Sequence, residues 1–215
     1  MKKLVAFIIV VMIVCCGYAS SLNESGFSLS EINDYQKKYV GEEMELCSSS
    51  SSKTYMDYRS INLRESTQYK YIQKYMTVDK TTGLLVDNEG FIGVALGSYF
   101  GDIGDRFYFT LETGIVLPVV IIDQKSDSHT YNGCYHRNDN SVLEFVIDSD
   151  VASRFFGRYG NGYILQGNFN NYSLFKGEIA KVEKVTNIKN KNYVTYSKGY
   201  EVNHNEDIFQ YASGY

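Results

Sequence analysis

Residues 119–130 read VVIIDQKSDSHT, an apolar run that passes directly into a polar loop at Asp123. A second apolar run, VLEFVID at residues 142–148, carries Glu144 in its interior. Short runs rich in Val, Ile and Phe are typical of β-strands that are buried on both faces. Two neighbouring strands that each carry an acid place two carboxylates in one cleft. The sequence therefore predicts a β-structured protein with an acid pair, Asp123 and Glu144.

The same pattern extends over much of the chain. Short apolar runs alternate with turns rich in Gly, Asp and Asn, and the runs lie at residues 84–86, 91–96, 106–111, 116–122, 142–147, 163–165 and 179–185. Strands at this spacing favour a small barrel or sandwich over βαβ units. The segment Glu112-Thr113-Gly114 predicts a hairpin turn between two of these strands. The predicted fold class is mainly β.

Helical patterns precede the strands. Residues 28–39 predict a helix with Ser28 or Ser30 as its N-cap. Residues 53–65 predict a short extended entry to a second helix at 66–75, where apolar residues recur at helical spacing. A run of five serines at residues 48–52 predicts a linker. The expected organisation is a signal peptide at 1–19, a helical and polar N-terminal segment at 20–52, a β-barrel domain with a helical lead-in at 53–185, and a polar extension rich in Tyr and Asn at 186–215.

The N-terminus resembles a secretory signal peptide. Met1-Lys2-Lys3 is followed by apolar residues at 4–16, and small residues lead to a cleavage position after Ala19. The apolar segment is shorter than the roughly 20 residues that a membrane-spanning helix needs. Lipidation of Cys16 is the alternative, because the residues before it are lipobox-like. Both readings predict an extracellular or cell-envelope protein that touches the membrane only through an uncleaved or lipidated N-terminus.

The composition of the chain indicates which classes of binding partner are expected. The net charge is −4 and no basic cluster is present, which argues against a nucleic-acid-binding protein. The chain has 20 Tyr and 12 Phe but no Trp, and tyrosine suits carbohydrate surfaces as well as half-exposed strands. Outside the signal segment the cysteines are Cys47 and Cys134, and an oxidising exterior permits a disulfide between them. Two separate thiols are the other possibility, because sequence does not give their distance.

Four segments together resemble a known family. They are residues 94–99, 103–105, 119–123 and 142–148, and their order is similar to that in the double-psi β-barrel of three-aspartate domain proteins, the secreted cell-wall lytic proteins of spore-forming and related Gram-positive bacteria. This resemblance implies a six-stranded double-psi-like barrel in which Asp123 and Glu144 face one groove. The chain differs from the family in two respects. Gln124-Lys125 replaces Thr-Gly-Gly after the first acid, and the insert at residues 126–140 lengthens the separation between the acids.

The family implies glycan chemistry. Its lytic transglycosylases cleave peptidoglycan with one carboxyl group, which first protonates the glycosidic oxygen and then removes a proton from a hydroxyl of the sugar. Such an acid needs a raised pKa, from burial or from a second carboxylate nearby. Asp123 is expected to be this acid and base, with Glu144 or Asp127 as its electrostatic partner. Lys125 would lower the pKa of an acid it pairs with, and no cofactor is expected.

Other interpretations of these residues stay open. Asp123 and Asp127 are also placed to cap a turn, and Glu144 to lie on a solvated face. Asp123, Asp127, His129 and His136 offer metal ligands, though in no known spacing. A non-catalytic module is the alternative to an enzyme, in which an aromatic groove holds glycan. A structural protein that contacts another envelope protein is a further alternative. The expected substrate contacts are Tyr99, Tyr108, Phe109, His129 and Lys125.

Overall fold

The computed structural model describes residues 35–156 and 169–191. Within these ranges the chain forms two α-helices, α1 (Thr67–Tyr75) and α2 (Ser149–Phe155). The strands are β1 (Tyr39–Met44), β2 (Thr54–Asp57), β3 (Thr77–Val78), β4 (Leu85–Val86), β5 (Ile92–Leu96), β6 (Arg106–Leu111), β7 (Val116–Gln124), β8 (Thr130–Tyr131), β9 (Tyr135–His136), β10 (Glu144–Ile147) and β11 (Ile179–Lys189). The prediction of a mainly β protein is confirmed.

Nine strands form one mixed sheet in the order β1-β11-β6-β7-β5-β10-β2, with β4 beside β5 and β3 beside β4. β5 pairs with β7 in parallel and β10 pairs with β2 in parallel, whereas the other pairs in this sheet are antiparallel. β8 and β9 form a separate two-stranded hairpin. The described strands do not close into a barrel, so the six-stranded double-psi barrel is not confirmed.

Both faces of the sheet centre are buried. Along β5, Ile92, Val94 and Leu96 pack into a large cluster with Phe107, Phe145 and other core residues. The opposite face, here called the helix-side face, carries α1 and a smaller cluster: Tyr39, Ile72, Leu85, Phe91, Tyr108, Val120, Ile122 and Val146. Burial on both faces explains why these strands are apolar without interruption.

α1 confirms the helix predicted at residues 66–75. The side chain of Ser66 caps it by accepting a hydrogen bond from the backbone N–H of Tyr69. Ile72 is its buried residue and joins the helix-side cluster. The predicted hairpin turn at 112–114 is also present between β6 and β7, and Gly114 adopts a φ of 85° there.

The N-terminal predictions are tested only in part. Residues 1–34, which include the expected signal peptide, Cys16 and the start of the expected helix at 28–39, lie outside the described residues, and so do 157–168 and 192–215. Residues 35–38 are not helical, and β1 begins at Tyr39 and pairs with β11. The N-terminal helix is therefore not confirmed, and the stretch before the serine run contributes an edge strand to the sheet. None of the helices in the described ranges has the length and apolar character needed to span a bilayer.

Candidate functional site

A β-bulge turns Asp123 toward the helix-side face. The register of β5 against β7 shifts between Val94, which pairs with Ile121, and Ala95, which pairs with Asp123. Strict alternation would place Asp123 on the face opposite to Ile122. Because of the bulge, both residues lie on the helix-side face, and bulges commonly re-aim side chains in this way. Gly93 provides the space, since a Cβ there would lie 2.3 Å from Cδ1 of Ile122.

Glu144 reaches the same face from the other side of β5. It is in register with Ala95 of β5 and with Thr54 of β2. Asp123 and Glu144 thus form one row with Ala95 between them. Backbones separated by one intervening strand lie roughly 10 Å apart, and the buried Ala95 stands between the two acids in register. Both acids are half-buried. The sequence-based expectation that these two acids share one face agrees with this arrangement.

Asp123 is bound by helix α1. Burial raises the pKa of its carboxyl group, while hydrogen bonds from the backbone N–H of Gln124 and the side chain of Gln68 act in the opposite direction. Gln68 lies in the first turn of α1. The helix therefore orients this carboxyl group while covering part of it, which favours a protonated acid at a higher pH than usual.

Of the two acids, Glu144 lies in the more highly charged environment. Burial raises its pKa, the positive charges of Lys125 and His136 oppose that rise, and the negative charges of Asp139 and Asp123 add to it. The coupling to Asp123 indicates that the two carboxyl groups interact electrostatically. Two interacting acids lose their protons in sequence rather than together.

Lys125 is buried at the end of the acid row, with 8% of its surface exposed. Its Nζ donates hydrogen bonds to the backbone oxygen of Ser141 at 2.9 Å and to Oγ of Ser141 at 3.0 Å. Thr54 also donates to that Oγ, at 3.3 Å. Burial lowers the pKa of Lys125 to about 8, although Glu144 and Asp139 act against this. Lys125 is thus a fixed part of the site, and its burial argues against the predicted direct contact with a polymer.

The insert at residues 126–140 helps to build the site. It supplies Asp139, which accepts a hydrogen bond from the backbone N–H of Ser141 at 2.9 Å, and His136, whose Nδ1 lies 3.3 Å from Oδ1 of Asp139. That nitrogen is buried and has no hydrogen-bond partner within the described ranges. The side chains of His136 and Asp139 remain 28% and 31% exposed. The edge of the site that the insert forms is therefore open to solvent.

A disulfide anchors the insert. Cys134, between β8 and β9, is bonded to Cys47, which follows β1. The loop also packs closely against the end of β5, because a Cβ at Gly97 would lie 1.8 Å from the carbonyl oxygen of Gly133. Of the two possibilities left open by the sequence, the bonded pair is the one observed.

Asp127 and His129 stand apart from the acid row. Both are exposed on a short 3-10 turn, and Asp127 accepts a hydrogen bond from Oγ of Ser98 at 2.6 Å. Asp127 is not among the main influences on the pKa of Asp123 or Glu144, and its role as an electrostatic partner stays a prediction. Across the part of the chain that the structure covers, no three His, Cys, Asp or Glu side chains are grouped so as to hold a metal ion.

The predicted aromatic groove does not form. Tyr108 and Phe109 are completely buried, and the hydroxyl of Tyr108 accepts a hydrogen bond from the backbone N–H of Tyr39. Neither ring offers a surface to a polymer, because both lie in the core. Tyr99 is 37% exposed, with its hydroxyl bonded to the backbone oxygen of Glu45. Tyr131 is also exposed, and the guanidinium group of Arg137 lies over its ring at 4.6 Å.

Sequence reasoning missed several members of the site, namely Gln68, Ala95, Asp139 and Ser141. Gln68 meets Asp123 only because α1 crosses this part of the sheet, and helical spacing does not reveal which strand a helix covers. Asp139 and Ser141 precede a strand that carries an acid, which is the one local signal that they approach Glu144.

Comparisons with protein-family models, curated protein sequences and solved structures find no significant match for this chain.

Proposed function

We propose that the acid pair is a general acid and base site for cleaving glycosidic bonds, and that its substrate is peptidoglycan. The observation that carries this function is the row Asp123, Ala95 and Glu144, in which two carboxyl groups with raised pKa values lie on one face of the sheet. Carboxyl pairs that flank a glycosidic bond stand about 5 to 10 Å apart in other glycan-cleaving enzymes.

The proposed reaction needs no attacking water. Asp123 donates its proton to the glycosidic oxygen and then, as a carboxylate, accepts the proton of a sugar hydroxyl that closes onto the anomeric carbon. Glu144 stabilises the positive charge that develops on the sugar ring. The half-buried position of both acids supports this assignment, because it combines a raised pKa with access from the open edge at His136 and Asp139.

The proposed location is the cell envelope or the exterior. The Cys47–Cys134 bond supports it, since disulfides persist in oxidising compartments. The resemblance to three-aspartate domains supports the substrate, because two of the segments that carry it, residues 119–123 and 142–148, hold the two acids. A double-psi barrel relationship is part of the same proposal.

A non-catalytic glycan-binding or interaction module is the second candidate. The exposed rings of Tyr99 and Tyr131 favour it, because tyrosine faces at a surface bind sugars and protein partners. Such a module uses these rings rather than the acid row.

Digestion of purified cell walls separates the candidates. The enzyme is expected to release anhydro-muropeptides, detected by mass spectrometry, and Asp123→Asn is expected to abolish their release. Asp127→Asn is the matched control, because it removes an acid four residues away that lies outside the row. Equal release by the Asp123→Asn variant would exclude the enzyme assignment. Sedimentation with insoluble wall without any release would support the binding module.

A further inference from the structure

A surface pocket lies between helix α1 and the segment that leads from β2 into this helix. Its volume is about 300 Å³, near the lower end of the range for small-molecule sites. Tyr69 and Ile72 are three residues apart on α1, so they share one face of the helix and line the pocket together. Tyr58, in the short 3-10 turn after β2, also lines it. Neither acid of the row does, so the pocket is separate from the site of the proposed cleavage.

Hydrogen bonds fix both segments that form the pocket. The hydroxyl of Ser66 caps α1 by accepting from the backbone N–H of Tyr69 at 3.1 Å. The carboxylate of Asp57 caps the 3-10 turn by accepting from the backbone N–H of Arg59 at 2.9 Å. Ile72, at the base of the pocket, is 5% exposed and belongs to the helix-side cluster. A ligand therefore meets a formed site, which lowers the entropy cost of binding.

The lining of the pocket combines tyrosine rings with an amide group. Tyr58 and Tyr69 are half-buried, so part of each side chain stays open to solvent. Tyrosine joins an apolar body to a hydrogen-bonding tip, which suits the apolar face and the hydroxyl groups of a sugar ring. The exposed amide of Asn62 offers both a donor and an acceptor to such groups. These side chains and the size of the pocket fit one saccharide unit.

The charge at the pocket is positive. Arg59 and Arg64 line it, whereas none of the described acidic side chains does, although the whole chain has a net charge of −4. Arg59 is already paired with Asp57 at 2.6 Å and with Asp150 at 2.7 Å. Arg64 is exposed and forms no ion pair with any residue in the described ranges. Its planar guanidinium group is thus available to bind a carboxylate through two parallel hydrogen bonds.

We propose that this pocket binds an acidic saccharide, with the sugar ring against Tyr58 and Tyr69 and the carboxylate on Arg64. A neutral sugar would leave the guanidinium group without a partner, so charge complementarity selects the acid. Two sources supply this chemistry. One is the muramic acid of peptidoglycan, whose lactyl group ends in a carboxylate, and the other is a uronic acid of another polysaccharide. The binding does not depend on cleavage by the acid row.

NMR titration of the backbone amides of the whole protein with two matched pairs of sugars tests the proposal. N-acetylmuramic acid differs from N-acetylglucosamine by its lactyl group, and galacturonate differs from galactose by a carboxylate in place of a hydroxymethyl group. In at least one pair, the acid is expected to bind about tenfold more tightly than the neutral sugar, the usual gain from hydrogen bonds to a charged group. The shifts should centre on α1 and the 3-10 turn. Preference within the first pair identifies wall glycan as the source, and preference within the second identifies a uronic polysaccharide.

Arg64→Met should abolish the preference for the acid while leaving binding of the neutral sugar unchanged. The substitution retains an unbranched side chain and removes only the charged group, and Arg64 is exposed, so the fold is expected to be kept. Lys70→Met is the matched control. It also removes one positive charge near the start of α1, but Lys70 pairs with Glu65 and does not line the pocket. Its preference for the acid should equal that of the unmodified protein.

Several outcomes would overturn the proposal. In the unmodified protein these are equal binding of acid and neutral sugar in both pairs, no binding of any of the four sugars, and shifts that centre on the acid row or on Tyr131. In the variants, the decisive result is a preference for the acid that survives in folded Arg64→Met. Since binding is measured with single sugars, which contain no glycosidic bond to cleave, its failure is distinguishable from failure of wall digestion.

Discussion

Asp123 and Glu144 lie in one row of the sheet because each is in register with Ala95, from opposite sides of β5. The bulge at Ile122 is what makes this possible, since an unbroken β7 would direct Asp123 to the large core cluster. The two acids then differ in their neighbours. Asp123 is bound by α1, and Glu144 faces Lys125 and the insert. Each neighbour offers a separate way to perturb one acid.

Gln68→Leu is expected to raise the pKa of Asp123. The side chain of Gln68 donates a hydrogen bond to this carboxylate, and its loss makes the ionised form less favourable. A hydrogen bond to a charged group is worth roughly 1.5 kcal/mol, which corresponds to about one pH unit. Because Asp123 acts while protonated, the alkaline limb of the pH–rate profile for wall digestion should move upward by this amount.

Gln73→Leu is the matched control for this variant. Gln73 lies on the same helix but is exposed, and it lines a surface pocket with Tyr58 and Arg59. The pH–rate profile of Gln73→Leu for wall digestion should coincide with that of the unmodified protein. An unshifted alkaline limb in Gln68→Leu would contradict the role assigned to α1.

The elements with local signals are those that sequence could predict. Ser66 marks the start of α1, and the uninterrupted apolar runs of β5 and β7 mark strands that are covered on both faces. The bulge is different, because period-two alternation gives no sign of a residue that breaks it. Gly93 hints at a close approach, but the partner, Ile122, is 29 residues away and is identified only by the folded sheet.

The alternation of apolar residues could not show whether the sheet closes into a barrel or whether the aromatic side chains form an exposed groove. Tyr108 alternates along β6 like a surface tyrosine, yet α1 and Tyr39 cover that face and bury it completely. Alternation shows which residues share a face, whereas burial depends on what packs against that face. Alternation also does not show which strands pair with each other. β1 and β11 are neighbours in the sheet although they come from opposite ends of the described chain.

Lys125 should make stability depend on alkaline pH. Its pKa is about 8 in the folded protein and near 10.4 when unfolded, so between these values the unfolded chain binds more protons than the folded one. The free energy of unfolding therefore rises with pH in this window. Below the window both states hold the proton, so the free energy of unfolding no longer changes with the titration of Lys125. Relative to Lys125→Met, the unmodified protein should gain about 2 to 3 kcal/mol between pH 7.5 and pH 10 in urea unfolding.

The comparison is made as a difference between the two proteins, because tyrosines and other lysines also titrate in this range and cancel. Lys176→Met should show no such difference from the unmodified protein. Parallel stability curves for the unmodified protein and Lys125→Met would show that Lys125 keeps an ordinary pKa.

Loss of the Cys47–Cys134 bond should destabilise the protein and weaken the site. The bond joins residues 87 apart in sequence, and the loop-entropy model gives about 4.6 kcal/mol for a cross-link of this span. Reduction also frees the insert that carries Asp139 and leads to Ser141. Denaturant unfolding with and without dithiothreitol measures the first effect, and wall digestion under the same conditions measures the second.

A variant with both cysteines replaced by alanine provides the control for reduction. It should be less stable than the oxidised protein and should not respond to dithiothreitol. A change in unfolding free energy below about 1 kcal/mol on reduction would show that the bond constrains little that packing does not already fix.

Arg106→Met should be among the most damaging substitutions away from the acid row. Arg106 forms an ion pair with Asp87, whose side chain is 2% exposed, and its guanidinium group stacks on Phe91 at 4.6 Å. Removing one partner of a buried pair costs about 3 to 5 kcal/mol, because the other charge is left without compensation. Burial raises the pKa of Asp87 and Arg106 opposes the rise, so the variant should protonate Asp87 more readily. The loss of stability is then small near pH 4 and grows toward neutral pH, as unfolding lets this carboxyl group ionise.

Lys70→Met is the contrasting substitution, because its ion pair with Glu65 is exposed on both sides and should cost less than about 1 kcal/mol. A double-mutant cycle completes the test. Adding Asp87→Asn to Arg106→Met removes the uncompensated charge, so the double variant should be more stable at neutral pH than additivity of the two single losses predicts. Additive losses from the two single variants would mean that the pair contributes through packing rather than through its charges.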